Sequence, residues 1–249
     1  MGNKQTGIEW TDYTWNPVTG CNKVSAGCAN CYAEAIANRF KGTRGFPDGF
    51  ALTLKPNRIN DKFGPGIKKI FVNSMSDIFH EKIPLSYIEQ IFENIRKNPQ
   101  HIFQILTKRH KRLVELAPSL TWHNNIWVGV SVESQQYVER IQCLKQVTAA
   151  VKFLSCEPLL GPLDMNLAGI DWVIVGGESG ASHRLMQSEW VEGIHKQCIS
   201  YDVPFFFKQW GGSTPKKNGR TFQGKYWNEM PNAWYAHLEQ YKHLIKQKK

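Results

Sequence analysis

Residues 70–106 read IFVNSMSDIFHEKIPLSYIEQIFENIRKNPQHIFQIL. The run Ile70-Phe71-Val72-Asn73 is short, apolar and suited to a buried strand. Pro84 and Ser86 then supply start signals for a helix over about 86–97, on which Ile88, Ile91, Phe92 and Ile95 form one apolar stripe. His101-Ile102-Phe103-Gln104-Ile105-Leu106 follows as a second strand. Strand, amphipathic helix and strand in this order make a βαβ unit with parallel strands.

The same alternation continues downstream. A basic helix through Leu113 and Leu116 precedes the strand Ile126-Trp127-Val128-Gly129-Val130, and a helix carrying Val138, Ile141, Leu144 and Val147 precedes Val151-Lys152-Phe153-Leu154. Asp171-Trp172-Val173-Ile174-Val175 runs into Gly176-Gly177-Glu178-Ser179-Gly180, a helix is expected around Trp190 to Ser200, and Pro204-Phe205-Phe206-Phe207 is the last run. With Ile8-Glu9-Trp10 as a first strand, about seven strands are expected, which suits an α/β fold of the full or partial (β/α) barrel type. A doubly wound sheet is disfavoured because no G-x-G-x-x-G follows an early strand.

At 249 residues and 41% apolar content, one large core is within reach. The expected organisation is a barrel domain over residues 1–212 and a basic C-terminal extension over 213–249, packed on the barrel or frayed from it. No apolar run approaches the roughly eighteen residues that span a bilayer, and the N-terminus carries no signal-peptide core, so a cytoplasmic protein without a membrane partner is expected. The formal net charge of +10 favours polyanionic partners. Its lysines and arginines fall in groups: Lys55 to Lys69, the run Lys108-Arg109-His110-Lys111-Arg112, Lys216 to Lys225, and the tail Lys242, Lys246, Lys248 and Lys249. Solvated helix faces and a nucleic-acid surface both account for them.

Cys21, Cys28 and Cys31 stand in one C-x6-C-x2-C window, whereas Cys143, Cys156 and Cys198 are isolated in apolar or helical surroundings. In a reducing compartment a clustered trio favours metal over disulfide. Thiolates select zinc, copper(I) or iron–sulfur clusters, and three of them leave one coordination position open. The strand ends add polar groups: Asn73-Ser74-Met75-Ser76-Asp77, Thr107-Lys108-Arg109, Ser131-Val132-Glu133, Ser155-Cys156-Glu157, Gly177-Glu178-Ser179 and Lys208-Gln209-Trp210. In a β/α barrel these ends build the active-site mouth. Glutamate after three strands and lysine after two exceed what helix capping alone would place there.

A three-cysteine loop after the first strand of such a barrel resembles the radical S-adenosylmethionine enzymes. That resemblance implies a [4Fe–4S] cluster on three thiolates and S-adenosyl-L-methionine as cosubstrate, cleaved reductively to a 5′-deoxyadenosyl radical. The text from Glu9-Trp10-Thr11 through Thr14-Trp15-Asn16-Pro17-Val18-Thr19-Gly20-Cys21, with Gly27-Cys28-Ala29-Asn30-Cys31-Tyr32-Ala33-Glu34, Leu106-Thr107-Lys108-Arg109 and Gly176-Gly177-Glu178-Ser179-Gly180, is similar to the phage Gp37/Gp68-like three-cysteine-motif family (DUF5131). This chain departs from the usual radical-enzyme pattern, C-x3-C-x2-C, in its wider first gap, and Asn30 stands where an aromatic residue is usual.

The resemblance implies cluster ligation by Cys21, Cys28 and Cys31. Expected around the cosubstrate are Tyr32, Asn73, Ser74, Asp77, Ser131 and Glu133; facing the substrate are Lys108, Glu157, Glu178, Lys208 and Gln209. The implied activity is attack on an unreactive C–H bond of a nucleic acid or nucleoside, with an electron donor such as a flavodoxin or ferredoxin and room for a partner protein. A zinc-stabilised nucleic-acid-binding module without redox chemistry, and a barrel enzyme whose cysteine loop is only a staple, are the competing readings.

Overall fold

The structure is a computed structural model that describes residues 6–245. Residues 1–5 and the tail lysines Lys246, Lys248 and Lys249 lie outside the described residues. Seven strands form one all-parallel sheet: β1 (Tyr13–Trp15), β4 (Lys69–Val72), β5 (Ile102–Thr107), β6 (Ile126–Ser131), β7 (Val151–Cys156), β8 (Trp172–Gly176) and β9 (Phe205–Gln209). Their spatial order is their sequence order, and β1 does not pair with β9. This is the winding of a β/α barrel left open, a partial barrel. Between β1 and β4 a two-stranded antiparallel ribbon, β2 (Val18–Thr19) with β3 (Thr53–Leu54), flanks helix α1 (Tyr32–Arg39).

The crossover helices follow from the apolar stripes. In α2 (Leu85–Arg96) the residues Ile88, Ile91, Phe92 and Ile95 are buried against the sheet, and Pro99 stands just beyond the helix end, where Asn98 donates to the Asn94 carbonyl at 2.7 Å. Helices α3 (His110–Leu116), α4 (Glu139–Lys145) and α5 (Ser188–Ser200) repeat the arrangement after β5, β6 and β8. The expected strand at Ile8-Glu9-Trp10 is not one. That segment turns, and pairing begins only at Tyr13 opposite Ile70. Side chains hold it there: Asp12 accepts from the Lys69 amide at 2.7 Å and Thr11 donates to the Lys69 carbonyl at 3.1 Å. Helix α1, directly after Cys31, carries no signal that the sequence reading recognised.

Side chains alternate across each strand. One parity, including Val72, Phe103, Ile105, Val128, Val130, Leu154, Val173 and Phe207, packs on the helices in a continuous outer core. The other lines the concave face, where Trp10, Phe71, Trp127, Phe153, Trp172 and Phe206 make a second, aromatic core. Trp10 closes on Phe71 with ring centroids 4.7 Å apart, and Trp172 meets Trp127 edge-on at 6.1 Å. The failed strand thus supplies the plug of the barrel floor. Residues beyond β9 join this body: the Phe207 amide donates to Trp227, the Trp172 indole donates to Glu229 at 2.8 Å, and α6 (Asn232–Gln240) places His237 against Gln100. Among the described residues no helix is long and apolar enough to cross a membrane.

Gly129 shows how tightly the plug is packed, since a Cβ there would lie 2.6 Å from the Phe153 ring. Gly129→Ala should therefore cost about 1–3 kcal/mol, read from urea unfolding. His101 is fully buried at the start of β5, between Phe63 and Phe103. Burial, with help from the Lys68 cation, pushes its pKa down to about 4. The unfolded chain takes up a proton near pH 6.5 that the folded chain refuses, so this contribution is complete above that pH and is lost as pH falls toward 4. Stability should decline by about 1.4 kcal/mol per unit across that window from this group alone, and His101→Gln should flatten the slope.

Candidate active site

A parallel sheet brings all its C-terminal strand ends to one edge, and strand parity decides which groups turn inward there. Above the aromatic plug this parity sets Lys108, Ser131, Ser155, Glu157, Gly176 and Lys208 on the concave side, with Ser131 and Ser155 adjacent in register. The Glu157 carboxylate and the Lys208 ammonium form an ion pair, both largely sheltered. A Cβ on Gly176 would lie 3.2 Å from the Glu157 carboxyl carbon, so the glycine leaves room for that side chain. Half-buried Lys108 has no ion-pair partner among the described residues.

The cysteine loop crosses this edge, strapped to several strand ends. Gly20 donates to Met75 beyond β4 at 2.9 Å, and Arg109 after β5 donates to Asn22. Glu133, beyond β6, is fully buried, pairs with Arg140 of α4 at 2.8 Å, and accepts from the Ser25 hydroxyl and from the Gly27 amide at 3.4 Å. At Gly27 a Cβ would come within 2.9 Å of the same carboxylate, which explains a glycine at this point of the loop. Glu178, beyond β8, accepts from Asn30 at 3.0 Å and pairs with Arg184, whose guanidinium also donates to Ala26 at 3.0 Å. Burial opposes the charge on Glu178, but the Arg184 and Asn30 hydrogen bonds outweigh it and hold the carboxyl below its ordinary range.

The remaining residues expected at the site are placed as follows. Asp77 accepts from Thr107 at 2.8 Å and from the amides of Lys108 and Phe79 at 3.0 Å, so its carboxylate ties the ends of β4 and β5 together. Asn73 accepts from the Val18 amide, Ser74 exchanges hydrogen bonds with Asn16, and Gln209 donates to Ser179 at 3.0 Å. Tyr32 opens α1 and donates its hydroxyl to the Ser74 carbonyl, with its ring half exposed. Asn73, Ser74, Asp77, Glu133, Glu178 and Gln209 are thus engaged with the protein itself. Tyr32, tied to Ser74 through its hydroxyl, half-buried Lys108 and the mutually paired Glu157 and Lys208 remain around the mouth, whereas Ser131 is buried. Sequence reasoning assigned no role to Ser25, Arg140 or Arg184 and noted Asn30 only as a departure from a pattern. Ser25 and Asn30 act through partners 108 and 148 residues away, and Arg140 and Arg184 through carboxylates 7 and 6 residues away.

The three thiols are partly buried, and all are free. Burial and the nearby Asp77 push Cys21 up to about 12, against the pull of Arg109; burial likewise raises Cys31, against Lys108. Cys28 acts electrostatically on both. Burial thus favours the protonated thiol at Cys21 and Cys31, which would release protons on taking up a metal. Among the described residues no three His, Cys, Asp or Glu side chains converge closely enough to chelate one ion. Soft donors spread over one loop suit a cluster that takes one thiolate per iron, and to that extent the residues fit the group.

Removing the buried carboxylate tests the strap. Glu133→Ala should cost about 3–5 kcal/mol by leaving the Arg140 charge buried and unpaired. The freed loop should show itself as faster thiol labelling of Cys28 at denaturant concentrations where the variant is still folded.

The profile of a family described as "Protein of unknown function (DUF5131)" matches residues 5–231. No curated protein matches. Among solved structures, spore photoproduct lyase complexed with dinucleoside spore photoproduct aligns at 13% identity and a TM-score of 0.48, over 98% of this chain and 76% of that one. A double mutant of the same lyase with bound AdoMet and dinucleoside spore photoproduct aligns at 13% identity and a TM-score of 0.45, over 78% of this chain. The chain spans 63% of the length of that second structure.

Proposed function

This chain belongs to the DUF5131 family, and from its cysteine loop and the geometry of its mouth we propose that it is a radical S-adenosylmethionine-type iron–sulfur enzyme acting on a nucleic acid or nucleoside. The observation that carries the reading is the cysteine loop itself, held over the C-terminal edge of a parallel partial barrel by two buried carboxylates, Glu133 and Glu178. Cys21, Cys28 and Cys31 would hold the cluster. When bound, it would supply one electron to S-adenosyl-L-methionine and so provide the 5′-deoxyadenosyl radical that takes a hydrogen atom from the substrate.

The chain's own residues orient and shield. Glu133 and Glu178 fix the loop through Ser25, Gly27 and Asn30, so the thiols arrive in one arrangement instead of many. Lys108, without an ion pair among the described residues, sets a cation near Cys31, where it favours thiolate and can receive a carboxylate of the cosubstrate. Tyr32 would border the cosubstrate with its half-exposed ring, and Ser131 lies at the end of β6, on the concave side. Glu157 and Lys208 present an acceptor and a donor together above an apolar floor, a pairing suited to the mixed donor and acceptor edge of a nucleobase. The aromatic plug closes the mouth from below and keeps water from a reactive intermediate. An external one-electron donor, such as a flavodoxin or ferredoxin, completes the requirement.

Anaerobic reconstitution followed by iron and sulfide analysis is the direct test. About four irons per chain are expected, falling sharply in each of Cys21→Ala, Cys28→Ala and Cys31→Ala. The reduced cluster should give an EPR signal that shifts on adding S-adenosyl-L-methionine, with 5′-deoxyadenosine as product. Stoichiometric zinc in place of iron, with no cleavage of the cosubstrate after reconstitution, would overturn the proposal.

A further inference from the structure

Beside the mouth, on the flank formed by α3 and α4, lies a groove of about 400 Å³. Five permanent cations line it, Lys108, Arg109, Lys111, Arg112 and Arg140, against the two carboxylates of Glu81 and Glu139, and Arg140 is already paired with Glu133 behind it. Glu81 is engaged by Arg109 at 3.2 Å, and Glu139 lies 3.8 Å from His110. Lys108 and exposed Lys111 have no ion pair among the described residues. The groove also holds more donors than acceptors. Arg109 is 93% buried with its Nη1 unpartnered, and Arg140, 98% buried, has an unpartnered Nε. The Nε of Arg112 is likewise buried without a partner. A surplus of guanidinium donors around an open groove favours an anionic ligand.

We propose that this groove seats the backbone of a nucleic-acid strand, whose phosphodiester oxygens accept from the Lys108 and Lys111 ammonium groups and from the guanidinium groups that line it. Arginine forks match phosphate geometry, and a cluster of them beside an open groove is a positioning surface, with no base readout implied. Continuity argues for a strand in preference to an isolated phosphate. Lys108 belongs both to the groove and to the concave mouth, and Val24, 43% exposed, borders the groove from the cysteine loop. A strand lying along the flank would carry its next nucleotide over the mouth. That register rests on the function proposed above; binding in the groove does not.

Fluorescence anisotropy with a labelled single strand of about twelve nucleotides tests it, on the full chain and on the Cys21→Ala/Cys28→Ala/Cys31→Ala variant, with circular dichroism to confirm folding. Both should bind with a steep salt dependence. Lys111→Glu, an exposed change, should weaken binding about tenfold and lower the slope of log K against log salt by about one. Lys196→Glu on α5, away from the groove, should leave binding close to that of the unaltered chain.

Unchanged binding in Lys111→Glu would overturn the proposal, as would an equal loss in Lys196→Glu, or competition by polyglutamate as effective, charge for charge, as by unlabelled oligonucleotide. The two proposals fail separately. Groove-dependent binding by a chain that takes up no iron would leave the strand site standing and remove the cluster, and a normally loaded cluster with binding indifferent to Lys111 would do the reverse.

Discussion

Glu133 carries a charge in a place with no solvent, and most of the site follows from how that charge is satisfied. Taking a carboxylate out of water costs several kcal/mol unless its oxygens are fully engaged. Arg140 comes to it from α4, behind the sheet, while Ser25 and Gly27 come from the cysteine loop in front. The Arg140 guanidinium also donates to the Ser131 carbonyl at 2.7 Å and stacks over Tyr137 at 4.0 Å. One buried acceptor therefore joins the helix layer, the end of a central strand and the loop bearing the thiols. Glu178 repeats the device two strands away with Asn30 and Arg184.

Beneath these straps the aromatic floor performs a different task. The concave side of a partial barrel is wide, and aliphatic side chains from short strands would leave voids in it. Trp10, Trp127 and Trp172 with Phe71, Phe153 and Phe206 fill it, in tilted and edge-on contacts. Gly129 is the complement of that bulk, the one position of β6 that yields its volume to the Phe153 ring. A filled floor leaves the rim as the polar part of the concave side, where the strand ends supply Lys108, Ser131, Glu157 and Lys208.

Charge at the rim is divided by purpose. Carboxylates at Asp77, Glu133 and Glu178 are consumed in holding the chain together, whereas Lys108 has no ion pair among the described residues. A surface so arranged favours anions, in line with the overall positive balance, and it raises the electrostatic readiness of thiols that burial alone would keep protonated.

The sequence by itself determined the parallel alternation of strands and helices, because period-two and period-3.6 apolar patterns are local properties of the chain. The strand starts at Ile102, Ile126 and Val151 and the stripe of α2 were legible for that reason, as was the trio of cysteines, whose spacing lies within one loop. Tertiary structure decided what locality could not express. Trp10 sits in a segment with strand-like residues, yet Asp12 and Thr11 bind the start of β4 and turn it into a plug. Asp77 and Glu133 read as cosubstrate-binding and Glu178 as substrate-facing because polar groups at strand ends resemble one another in sequence. Which of them meets solvent and which meets Asn30, Ser25 or Thr107 depends on partners 30 to 148 residues away, and a buried charge is committed by whichever donors the fold brings to it.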